Sequence, residues 1–165
     1  MVFQNGEWIC AKRFAKLKPI DLLHKESEKR KTELPDELKN IHMLIRCKLN
    51  IAKDHGRIRL RITADDYYKL YINSEFVGQG PTQGYQFCYY WNEYDVTKYV
   101  KEGENDIFAD VYYQGLINRA YNSGDLRMGM VAEFFDNDKC ILSSDSEWEY
   151  ALSDAYKITH TIGYD

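Results

Sequence analysis

The sequence predicts an all-β fold, an antiparallel sandwich or barrel of which two stacked sheets, a β-sandwich, fit best, with a short N-terminal helical or irregular segment. Apolar side chains recur at every second position in several runs, which is the signature of half-buried strands. These runs are short and separated by polar turns, and no 3.6-residue periodicity is interleaved with them, which argues against an α/β fold.

The elements follow in order. Residues 1–40 read as an N-terminal extension that packs on the sandwich. Its stretch 25–39 is dense in Lys, Glu and Arg and predicts a surface helix or loop starting near Asp21. Both charge signs are mixed there, so it reads as a solvated face. Residues 41–152 form the sandwich core. In Ile41–Ile51 the odd positions are Ile41, Met43, Ile45, Cys47, Leu49 and Ile51, while His42, Arg46, Lys48 and Asn50 alternate with them. Over 57–64 the inward set is Ile58, Leu60, Ile62 and Ala64. Shorter strands are predicted at 67–72, 75–77, 107–113, 128–135, 140–142 and 148–150. The turns between them fall at Asn73-Ser74, residues 102–105 and residues 136–138. Asn73-Ser74 sits where a two-residue hairpin loop needs positive φ, and Ser74 is costlier there than glycine by up to about 1 kcal/mol. Residues 95–100 read as one helical turn capped by Asp95, with Val96, Tyr99 and Val100 inward. Residues 153–165 supply a last strand, 157–162, and lead into a further domain.

Composition narrows the function. With 44% hydrophobic and 15% aromatic residues, the 165-residue chain can close one core. Its net charge of -4 gives no electrostatic basis for binding nucleic acid. No apolar run approaches the ~20 residues of a membrane span. Cys10, Cys47, Cys88 and Cys140 are scattered without zinc-ligand spacing, and no N-glycosylation sequon occurs. Cys47 falls among inward residues as a small hydrophobe, so the cytoplasm is the expected compartment.

Catalysis is not expected. A glycosidase sets two carboxylates across the scissile bond, one with a raised pKa. Asp65 and Asp66 are adjacent, and on a strand their side chains point to opposite faces. Asp66 suits a turn or a backbone hydrogen bond better. Glu93, Asp110, Asp125 and Glu133 show no pairing in sequence. His24, His42, His55 and His160 lie apart from any serine or cysteine partner, and His42 reads as an exposed residue of the polar face.

The strongest functional signal is aromatic: Tyr85, Phe87, Tyr89, Tyr90, Trp91 and Tyr94, then Tyr112, Tyr113 and Tyr121. Aromatic faces stack on the apolar face of a pyranose while amides and carboxylates take its hydroxyls. The candidate carbohydrate-binding residues are Tyr85, Tyr89, Tyr90, Trp91, Tyr113, Gln114, Asn118, Arg119, Asn122 and Asp125. The bland alternative places many of these rings in the core or against a neighbouring domain.

Residues 62–81 contain Leu70-Tyr71-Ile72-Asn73 and Val77-Gly78-Gln79-Gly80. Residues 94–105 carry Tyr94-Asp95-Val96-Thr97 and Gly103-Glu104-Asn105, and Tyr112-Tyr113-Gln114-Gly115-Leu116-Ile117-Asn118-Arg119 follow. In these motifs the chain resembles the N-terminal domain of bacterial α-L-rhamnosidases of glycoside hydrolase family 78, over roughly residues 41–150. The same layout is shared by galactose-binding-like jelly rolls, so the resemblance supports the fold more firmly than the enzyme. It implies a non-catalytic accessory domain that aids recognition of rhamnose-containing carbohydrate, partnered by a catalytic α/α-barrel domain of the same chain. The alternative is a module that docks on that barrel and binds no sugar. No cofactor is expected. Some related jelly rolls carry calcium, for which oxygen ligands between Asn118 and Asp125 are available, but no EF-hand spacing accompanies them.

Overall fold

The computed structural model describes residues 2–20, 35–84, 88–115 and 125–156. Nine strands form two antiparallel sheets: β1 (Ile41–Ile51), β2 (Ile58–Asp65), β3 (Tyr67–Ile72), β4 (Glu75–Gly80), β5 (Asn92–Asp95), β6 (Gly103–Tyr113), β7 (Gly129–Asp136), β8 (Lys139–Ser143) and β9 (Glu149–Leu152). The five-stranded sheet has the order β4-β3-β6-β1-β9, and the four-stranded sheet β5-β2-β7-β8. The architecture is the β-sandwich that alternation predicts. Met43, Ile45, Leu49 and Ile51 of β1 and Ile107, Ala109, Val111 and Tyr113 of β6 face Ile58, Leu60, Ile62 and Ala64 of β2 and Met130, Ala132 and Phe134 of β7. Burying such side chains contributes about 1.5–3 kcal/mol each, which holds the two layers together.

Several local expectations hold. Asn73 and Ser74 both have positive φ, 50° and 69°, at the β3–β4 turn. Residues Thr97–Tyr99 form a single 3-10 turn, with Asp95 Oδ1 accepting from Thr97 N at 3.1 Å and from Thr97 Oγ1 at 2.7 Å. Val96 is fully buried beneath it.

Two local readings are corrected. The pattern gave no strand at Asn92–Asp95, yet β5 pairs there with β2, because the partner strand supplies hydrogen bonds that alternation alone does not reveal. Residues 103–105, read as a turn, already lie in β6, with Gly103 opposite Ile51. Asn105 is fully buried: it accepts from Lys101 N and Asn73 Nδ2, both at 2.8 Å, and donates to Lys101 O at 2.8 Å and Gly103 O at 3.0 Å. The side chain replaces the missing turn bonds from inside.

The helical candidate before Ile41 lies largely outside the described residues; a short 3-10 turn, Asp36–Leu38, is what is described of it. The strand expected at 157–162 also lies outside them. Residues 2–20 pack on the sandwich. Ile9 and Met130 exchange backbone bonds of 2.9 Å, and Ala11 and Phe14 join the core. The four cysteines are unpaired; Cys47 is partly buried, and burial pushes its thiol up to about 12. Among the described residues no helix is long and apolar enough to cross a membrane.

Candidate functional site

At one end of the sandwich β2 runs out at Asp65, β6 at Tyr113, and the chain enters β7 after Asp125. Three acids are buried there together: Asp65, Asp66 and Asp125. Asp65 and Asp66 are both buried where β2 ends, close enough to each other and to Asp125 for the acids to disfavour the charge on Asp65. The expectation that they point to opposite faces is therefore corrected, since it assumed the regular pleat of a continuing strand and β2 stops at Asp65. Asp66 does take the backbone role expected of it, accepting from Gln114 N at 2.7 Å.

Burial pushes the Asp65 carboxyl well above the usual carboxylate range, and the neighbouring Asp66 and Asp125 push it further. The phenol of Tyr89 opposes this by donating to Asp65 Oδ2 at 2.7 Å. Burial also raises Asp125, to about 6, against the pull of Arg127, whose backbone N–H donates at 2.9 Å and whose guanidinium lies 3.2 Å away. This end of the sandwich thus gathers acids whose charge is disfavoured by burial and by one another.

The candidate residues divide by position. Tyr89, Gln114 and Asp125 meet at this end. Tyr90 is exposed, and its carbonyl accepts from Thr63 Oγ1 at 2.6 Å. Trp91, also exposed, lies on the outer face of the four-stranded sheet, with the Arg61 guanidinium 5.7 Å from its ring and Phe3 edge-on at 6.5 Å. Tyr113 is core: it is fully buried, packs edge-on against Phe14 at 5.0 Å, and its hydroxyl accepts from Leu126 N. Its ring lies in the core by the β6 alternation, and its hydroxyl faces the end of the sandwich where Asp125 lies. Tyr85, Asn118, Arg119 and Asn122 lie outside the described residues, as does most of the loop considered for calcium. Among the described residues no group of three or more His, Cys, Asp or Glu side chains is arranged to hold a metal ion.

Sequence reasoning missed Trp8. It is 42% exposed and packs on Tyr89 with ring centroids 5.4 Å apart. No periodic signal marks it, because it arrives from an irregular segment far away in sequence.

The outer face of the five-stranded sheet carries a second aromatic set. Strand register lines up Tyr67, Tyr112 and His42 in one row and Tyr71, Phe108 and Arg46 in another, with Lys69, Asp110 and Leu44 between them. His42 is on the polar face as expected but is not exposed. Its Nδ1 contacts Asp110 Oδ1 at 2.8 Å, and Tyr156 stacks on its ring at 3.5 Å. Chain beyond β9 covers it, which the β1 pattern could not show.

Residues 53–164 match the model of the α-L-rhamnosidase N-terminal domain. The fold is similar to part of a family 78 rhamnosidase from Bacillus sp. GL1, with TM-score 0.65 and 28% identity, covering 69% of this chain and 12% of that one. It is also similar to part of an α-L-rhamnosidase from Aspergillus terreus (TM-score 0.58, 24% identity, 73% of this chain and 15% of that one). An α-L-rhamnosidase from Dictyoglomus thermophilum gives TM-score 0.56 at 23% identity, with coverages of 67% and 13%. The chain therefore spans a small part of the length of these solved enzymes. No curated protein sequence matches.

Proposed function

The chain belongs to the α-L-rhamnosidase N-terminal domain family, and from that premise we propose that it is a non-catalytic accessory domain that holds rhamnosylated carbohydrate for a glycoside hydrolase. The observation that carries this reading is the buried acid trio with the phenol of Tyr89 hydrogen-bonded at its edge. Rings offer a face to the apolar side of a 6-deoxy sugar, and neighbouring polar groups take its hydroxyls. The partner would be a catalytic domain of the same polypeptide. The four unpaired thiols favour a reducing compartment, the cytoplasm.

The acids do not suit bond cleavage. A retaining glycosidase needs its two carboxyls about 5 Å apart and an inverting one needs more, to admit the bond or a water. Asp65 and Asp66 are instead adjacent and buried, the first engaged by the Tyr89 phenol and the second by Gln114 N, so their oxygens are taken up within the domain. A second reading, docking on the catalytic domain without sugar, is favoured by the aromatic rows on the outer face of the five-stranded sheet, where Tyr67 meets Tyr112 and Tyr71 meets Phe108.

Calorimetric titration with methyl α-L-rhamnopyranoside, alongside a chromogenic rhamnoside assay, separates these readings. Millimolar binding without hydrolysis is expected. Silence at tens of millimolar would leave the docking surface as the better account, and turnover by the purified chain would refute the non-catalytic reading.

A further inference from the structure

The segment that carries Trp8 is held with unusual completeness for an irregular strap. Glu133 of β7 is fully buried, and its Oε1 accepts from three consecutive backbone amides, Gln4 at 2.7 Å, Asn5 at 2.5 Å and Gly6 at 2.8 Å. One carboxyl oxygen shared by three main-chain donors, while Oε2 is buried without a hydrogen-bond partner, fixes the path of the strap where no regular ladder could. The next residues lie along β7 where β8 does not reach: Glu7 N donates to Ser144 O at 2.7 Å, Ser144 Oγ donates to Glu7 O at 2.7 Å, and Ile9 and Met130 exchange two bonds. Two glycines let the strap lie flush. A Cβ on Gly6 would come within 2.8 Å of Val131 Cγ2, and one on Gly129 within 2.5 Å of both the Ile9 carbonyl oxygen and Trp8 Nε1.

All of this converges on a side chain that remains 42% exposed. A large indole locked by its own backbone, by a notch at Gly129 and by the ring of Tyr89 loses little freedom when a ligand stacks on it, which is the condition for a preorganised binding wall. Tyr89 in turn donates to Asp65, so this phenol links the indole to the acids. The strap also lies outside residues 53–164, the part of the chain that the family model matches.

We propose that Trp8 is the aromatic wall of the sugar-recognition site and that Glu133 is the positioning residue that holds it there. The ligand face it fits is the apolar side of a rhamnosyl unit, stacked on the indole beside Tyr89. This rests on the reading that the domain holds rhamnosylated carbohydrate, and it specifies a contact on which that reading does not depend.

The test uses the full chain and methyl α-L-rhamnopyranoside, with affinity from calorimetry and amide exchange over residues 4–9 from mass spectrometry. Trp8→Ala removes an exposed ring and is expected to keep the melting temperature while weakening binding about tenfold, the equivalent of one lost stacking contact. Glu133→Gln is expected to speed exchange at residues 4–6 and to weaken binding by about threefold or more, because the amides then bond a neutral oxygen. Gly129→Ala leaves Glu133 intact, crowds the indole and should weaken binding likewise. The double variant of Trp8→Ala with Glu133→Gln should bind no worse than Trp8→Ala alone, since both act through one ring. Wild-type affinity in Trp8→Ala would remove Trp8 from the site while leaving sugar recognition standing. Faster strap exchange in Glu133→Gln with unchanged affinity would remove the positioning role. No binding by the wild type at tens of millimolar would overturn the proposal and the sugar reading together.

Discussion

Asp65 illustrates how one residue couples position to protonation. Its pKa in the folded chain lies above the ordinary aspartate range because burial and the neighbouring acids disfavour charge. A group whose folded-state pKa is raised binds its proton more tightly when folded, so its favourable contribution is complete below the unfolded value and declines as pH climbs towards the folded one. Stability should therefore fall from acid towards neutral and alkaline pH through this site. Asp65→Asn keeps an acceptor for Tyr89 and cannot ionise. It is expected to raise stability at pH 8 by on the order of 1 kcal/mol or more, with little gain at pH 4, as read from melting temperatures across that range. Identical alkaline behaviour of variant and wild type would show that Asp65 carries no such penalty. Ser74 is a contrasting case, a purely local strain at φ 69° that any relative with glycine there would lack.

Among the elements, the connection from β5 to β6 depends most on one side chain. Asn105 ties residues 101 and 103 and reaches Asn73 in the β3–β4 turn, while Asn73 Nδ2 also donates to Tyr99 O at 2.9 Å and its Oδ1 accepts from Asp106 N at 3.1 Å. Two turns at one end of the sandwich thus share a single buried amide pair. Asn105→Ala would leave several buried backbone groups without partners, each costing about 1–3 kcal/mol. A loss of about 2–4 kcal/mol in urea unfolding is expected, with the largest increase in amide exchange around residues 99–105. A variant within 0.5 kcal/mol of wild type, the usual range for an uninvolved position, would show that water substitutes for the amide.

At the scale of the molecule the sandwich separates three surfaces. One end carries the acids and Tyr89, the outer face of the four-stranded sheet carries the strap, and the outer face of the five-stranded sheet carries the aromatic rows. They are held in fixed relation by one core, in which Phe134 is fully buried between the sheets. Phe134→Ala should cost about 3–5 kcal/mol by leaving a cavity that both layers line. Because a single core serves both sheets, far-ultraviolet dichroism and tryptophan fluorescence should report one coincident urea transition in wild type and variant alike. Separated transitions would mean that the two sheets unfold independently and that the surfaces can move relative to one another.

The sequence by itself determined which side of each long strand faces inward, because side-chain direction in a strand is a local property with a period of two. Met43 to Ile51, Ile58 to Ala64 and Ala109 to Tyr113 all obey it, as do the turn at Asn73-Ser74 and the Asp95 cap, whose partners lie within a few residues. The aromatic run at Tyr89 was legible too, though not which of its rings meets the acids. Tertiary structure alone decided that Asp65, Asp66 and Asp125 share one buried site, that Tyr156 covers His42, and that amides of residues 4–6 close on Glu133 from 127 to 129 positions away. Contacts across such separations leave no periodic trace along the chain, since they arise where strands end and the two sheets bring remote segments side by side.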